Sequence, residues 1–196
     1  MIKSRLLADR NGSSAAEFAL VLPVLMVLIF IGVDGGRYLY NINRIEKATQ
    51  FGARFAVVTN PVASDLVGID YVGQTVGGVT LTQGDRIPAG ALTSFTCTST
   101  ACAGGHTIST AAFNNILARM QNIMPDLKAS NVTVSYAGSG LGYAGDPSGM
   151  QIAPLVTVQV TGLRWQPVSG FMLLNASYPT ISTTLSAEDS QGTQSY

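Results

Sequence analysis

The longest apolar run lies near the start of the chain. From Ser13 to Val33 the only charge is Glu17, and Ala19 to Val33 is apolar throughout except for Pro23 and Gly32. As a helix, residues 13–33 would measure about 31 Å, close to the hydrocarbon thickness of a bilayer. Lys3, Arg5 and Arg10 outweigh Asp9 ahead of the run. Cationic flanks stay cytoplasmic, so the pattern predicts a transmembrane helix with its N-terminus inside and its C-terminus outside. A cleaved secretory signal needs small residues after the run. Val33 is succeeded by Asp-Gly-Gly-Arg-Tyr-Leu-Tyr, so a retained anchor is expected.

The helical period continues beyond the span. At 100° per residue, Tyr38, Ile42, Ile45, Thr49, Gly52 and Ala56 share one stripe, widened by Ala48 and Phe55. Asn43, Arg44, Lys47, Gln50 and Arg54 fall opposite. This predicts an amphipathic helix over residues 34–58, continuous with the span and resting on a folded domain. Pro23 is expected to bend the membrane half, Gly35-Gly36 to form a second weak point, and Asn60-Pro61 to end the helix.

Residues 59–190 read as one exported domain. Residues 66–81 hold short runs that suit one or two strands, and 93–105 a loop around two cysteines. Ser109 or Thr110 can cap a helix to about Met124, with Phe113, Ile116, Leu117, Met120 and Met124 as its apolar stripe. Alternation predicts strands at 132–136 and from Leu155 to Val160, the latter running on to about Trp165, and residues 180–187 read as a last strand. Residues 137–149, rich in glycine, read as an exposed loop, and 191–196 as a polar tail. The fold class is α+β: a long N-terminal helix packed on a small antiparallel sheet.

Charge adds little. Eleven basic residues balance eleven acidic ones in 196, which gives no footprint for nucleic acid. Charged residues make up only 11% of the chain, against about 25% in an average soluble domain. The two cysteines, Cys97 and Cys102, have four residues between them, unlike the two-residue spacing of redox and zinc pairs. In a reducing compartment they would be free thiols; export favours a disulfide that closes a small ring. His106, the one histidine, reads as a solvated or turn residue. Asp65, Asp70, Asp85, Asp126, Asp146, Glu188 and Asp189 are scattered, and no phosphate loop or nucleophile elbow is present. No catalytic site, metal, cofactor or small-molecule substrate is expected.

One motif is sharper. Gly12 precedes Ser13-Ser14-Ala15-Ala16-Glu17-Phe18 and the apolar run. This resembles the class III signal of type IV pilins, in which a prepilin peptidase cuts after Gly on the cytoplasmic side and leaves Glu at the fifth mature position. The resemblance makes residues 1–12 a leader and Gly12, Ser13, Glu17 and Phe18 the processing site. It also implies that Glu17 pairs with the new N-terminal amine of an adjacent subunit. With Gly-Arg-Tyr-Leu-Tyr at 36–40 and Ala-Thr-Gln-Phe-Gly-Ala-Arg at 48–54, the segment resembles the TadE-like family, pseudopilin or minor-pilin components of the tight-adherence (Tad, Flp-type) pilus. That resemblance implies a subunit for pilus assembly and surface adherence in the inner membrane, with a periplasmic C-terminal domain. The implied partners are the peptidase, other Tad subunits, the inner-membrane assembly platform and lipid. The alternative is a membrane-anchored scaffold or binding module that does not polymerise.

Overall fold

The structure is a computed structural model that describes residues 13–147, 149–168, 177–187, 190 and 192. The expected leader, residues 1–12, together with Glu188, Asp189 and most of the tail, therefore lies outside the described residues. Helix α1 spans Ser13–Val57 without interruption, passing through Pro23, Gly35 and Gly36. It stops just short of the expected Asn60-Pro61, where the Thr59 hydroxyl donates to the Phe55 carbonyl at 2.7 Å and satisfies one of the orphan acceptors of the last turn.

The chain divides into two compact units. The first contains residues 13–41 of α1 together with residues 164–168. The side chains of its apolar run are largely exposed, with Leu20, Val24 and Leu28 among the most open.

The second unit holds the C-terminal part of α1 and the sheet. A small separate ribbon joins β1 (Thr75–Val76) to β2 (Val79–Thr80). In the main sheet, strand β3 (Phe95–Cys97) pairs with β4 (Val132–Ala137), β4 with β5 (Leu155–Val160), and β5 with β6 (Ile181–Ser186), all antiparallel. Register explains the core. Val132 pairs with Val160, Val134 with Val158 and Tyr136 with Val156, so all six fall on one face, and all are buried. The other face is hydroxylic, with Thr96 bonded to Ser135 and Thr157 to Thr184 across adjacent strands.

Helix α2 (Thr110–Gln121) is capped by the Ser109 side chain, which accepts the Ala112 N–H. Its buried stripe is Ala112, Phe113, Ile116, Leu117 and Met120. It ends three residues before Met124, because Pro125 disfavours the α conformation in the residue before it. At the helix end the Asn122 N–H donates to the Ala118 carbonyl and the Ile123 and Met124 N–H groups to that of Met120; past it, Arg44 donates to the Ile123 oxygen at 2.9 Å and Gln121 to that of Leu127 at 2.8 Å.

The stripe on α1 is buried at Ile45, Ala48, Thr49, Gly52, Phe55 and Ala56, with Ala53 added and Tyr38 and Ile42 only partly covered. Thr49 meets Thr183 of β6 hydroxyl to hydroxyl at 3.0 Å. Gly52 marks the closest approach. A Cβ built there would lie 2.8 Å from Met120 Cγ and Sδ and 3.3 Å from Val158 Cγ1. Overfilling such a site typically costs about 1–3 kcal/mol. Gly52→Val should therefore lower the unfolding midpoint of the full chain in detergent, read by circular dichroism. Gly36→Val should not, since nothing lies within 4 Å of that position.

Three expectations need correction. The strand at 155 ends at Val160 and does not reach Trp165, because Gly162 turns the chain with φ of 71° and Asn131 takes both backbone groups of Thr161. The cysteine segment contains β3, where the sequence reads as loop. Residues 137–149 are not a solvated loop either. Ala144 is buried, and this stretch exchanges backbone hydrogen bonds with 84–87 and 151–153. Gly142, at φ of 106°, lets the Gln151 carbonyl approach where a Cβ would collide with it.

Candidate processing and assembly site

Ser13 is the first helical residue of the described chain, and Glu17 lies four residues later. That spacing is about one helical turn. Glu17 is exposed, and Phe18 beside it is 63% exposed. The apolar surface continues along the helix through Leu28, Ile29 and Phe30. One stretch within α1 is long and apolar enough to cross a membrane, with mean hydropathy 2.6, and none of it is buried by the rest of the chain. Gly12 lies outside the described residues, so the processing motif is seen here from its helical side only.

Cys97 and Cys102 are joined by a disulfide at the end of β3. Thr98 N–H donates to the Ala101 carbonyl at 2.8 Å, so the bridge clamps a tight turn whose first cysteine is fully buried. A ring this short contributes about 2 kcal/mol in the chain-entropy model. A thiol reagent should label neither cysteine in the native protein until a reductant is added. A loss of stability of about that size is expected for the double Cys97→Ala, Cys102→Ala chain.

His106 is neither solvated nor isolated. Its Nδ1 lies 2.7 Å from Asp65 Oδ2, and the Thr107 N–H donates to Asp65 Oδ1 at 2.9 Å. Its ring stacks on Phe95 at 3.7 Å between centroids, and Phe95 stacks in turn on Tyr136 at 5.4 Å. The Tyr136 hydroxyl accepts the Val62 N–H at 2.8 Å. Burial pushes the Tyr136 phenol up, which keeps it neutral. Asp65, His106, Phe95 and Tyr136 thus close a circuit that fixes residues 62–65 beside 106–109, where Ser64 and Ser109 add backbone hydrogen bonds. A cleft of about 420 Å³ opens beside it, lined by Tyr71, Gln74, Ser94, Phe95, Gly104 and His106 among others. The sequence placed Asp65 among scattered carboxylates because its partner is 41 positions away.

Partial burial raises the Asp65 carboxyl, but the hydrogen bonds from His106 and Thr107 outweigh it and hold the group below the usual 3.8. A depressed carboxylate stabilises the fold above its unfolded pKa, and that contribution disappears as pH falls through the folded value. An Asp65→Asn chain should be less stable than the parent at neutral pH. The difference should close in acid below the ordinary carboxylate range, as measured by denaturant titration at a series of pH values. Among the described residues no group of three His, Cys, Asp or Glu side chains is placed to hold a metal ion.

Among the described residues, a long helix with an uncovered apolar half and a four-stranded antiparallel meander define an α+β fold with one candidate membrane span. Residues 12–54 match the family model described as TadE-like protein, so this N-terminal segment is similar to that family. The match covers Gly12, Ser13, Glu17 and Phe18 and extends into the amphipathic part of α1 as far as Arg54. Neither the curated proteins nor the solved structures gave a significant match.

Proposed function

We propose that this chain is a non-enzymatic pseudopilin or minor-pilin subunit of a Tad-type pilus system. In this reading a prepilin peptidase removes residues 1–12 and frees the amine of Ser13. The mature chain then sits in the inner membrane through residues 13–33, with its N-terminus cytoplasmic and its sheet domain outside. Assembly moves the apolar helix from lipid into a bundle of like helices, where Glu17 pairs with the Ser13 amine of a neighbour. Paired opposite charges are tolerable in a low-dielectric bundle; an unpaired one is costly.

The observation that carries the reading is the exposed apolar face that continues from Glu17 within a TadE-like segment. A plain anchor needs an apolar face but no Gly-Ser-Ser-Ala-Ala-Glu-Phe ahead of it. The test is site-specific photo-crosslinking from Leu28, which is 67% exposed, in cells that assemble the pilus. Identified Tad pilus subunits in the adducts are the expected result. Adducts with lipid alone, in piliated cells, would favour a scaffold that never polymerises.

A further inference from the structure

Asp34 is the first residue after the apolar run and is only 2% exposed. The chain between β5 and β6 covers it. The Val168 N–H donates to Asp34 Oδ1 at 2.8 Å, and Trp165 meets Tyr38 edge to face at 5.6 Å. Arg37 lies 3.8 Å from the same carboxylate oxygen, yet about half of its side chain remains in the open. Around this point Val168, Leu39 and Tyr40 are each more than 60% exposed, Arg164 is exposed and Trp165 is half-buried.

We propose that this collar, residues 164–168 held on α1 at Asp34, is a second membrane contact that lies in the lipid headgroup layer where the helix leaves the bilayer. The inference rests on reading residues 13–33 as a membrane span. Position is the first argument. Arg37 and Tyr38 come four and five residues after Val33, or about 6–8 Å along a helix. The headgroup layer on each side of a bilayer is roughly 5–8 Å thick. Composition is the second argument. Trp and Tyr favour this layer because one end of each ring is apolar and the other polar. Arg37 and Arg164 offer cations to lipid phosphates, while the acid at this level, Asp34, is turned inward onto Val168 and Arg37. Continuity is the third: the collar sits on α1 at Asp34, the residue directly after the apolar run. A subunit leaving the membrane for a fibre has to give up this contact as well as the span.

Trp165 is the only tryptophan, so its fluorescence reports on the collar without labelling. The full chain would be reconstituted into phosphatidylcholine–phosphatidylglycerol vesicles that carry bromine either near the headgroup or near the chain terminus. The expected result is strong quenching of Trp165 by the shallow bromines, weaker quenching by the deep ones, and protection from aqueous acrylamide. A second chain, Trp165→Phe with Phe30→Trp, reports on the span and should be quenched by the deep bromines. If that reporter is quenched and Trp165 is open to acrylamide, the collar is in water and the inference is wrong while the span stands. Protection from acrylamide without bromine quenching would mean that protein covers Trp165, which also overturns it. If neither reporter responds to brominated lipid, the membrane reading fails first.

Discussion

Glu17→Ala is expected to insert into the membrane normally and to fail in pilus assembly. Removing the one charge from residues 13–33 makes the span more apolar. A central charge costs about 2.5–3.5 kcal/mol on translocon scales and less near the interface, so insertion gains slightly. Assembly loses more. Within a helix bundle the amine of a neighbouring Ser13 would keep its charge and lose its partner, a change that typically costs about 3–5 kcal/mol. That corresponds to a fall of roughly a hundred- to several-thousand-fold in incorporation. Glu17→Gln keeps the hydrogen bond without the charge and should be intermediate. Surface piliation and co-purification with pilus subunits measure the defect, with membrane fractionation as the control. Normal piliation of Glu17→Ala would reduce Glu17 to an interfacial residue that complements the positive end of α1.

Gly12→Val should block maturation and leave a precursor that retains the leader. A branched side chain at the residue before the cut does not fit where a prepilin-type peptidase accepts glycine. An uncleaved chain still carries the basic residues of the leader ahead of the span, so it should remain membrane-bound. It offers no free Ser13 amine, so its assembly defect should match that of Glu17→Ala. The double variant should be no worse than either single one, since both remove the same pair. Additive defects would separate the roles of Gly12 and Glu17.

Much of this architecture was legible in the chain because it is local. The α1 stripe from Ile45 to Ala56 and the alternation of β4 and β5 repeat with the period of their own element, and the Ser109 cap sits at the start of its own helix. β3 has only three residues, too few for alternation to stand out. The packing of 137–149 is set by partners at 84–87, and glycines that read as loop formers serve there to admit close backbone. The contacts of Asp65 with His106 and of Asp34 with Val168 span 41 and 134 positions, and no short-range pattern encodes them. The processing motif was the reverse case. It is complete in sequence from Gly12 to Phe18, while the described helix begins only at Ser13.

Maturation as a pilin-like subunit is read from the intact mass of the protein purified from native membranes. The expected protein begins at Ser13 and retains the whole of α1, with Cys97 and Cys102 oxidised. A chain that keeps Met1, or one cut after Val33 as an ordinary secretory signal would be, contradicts it.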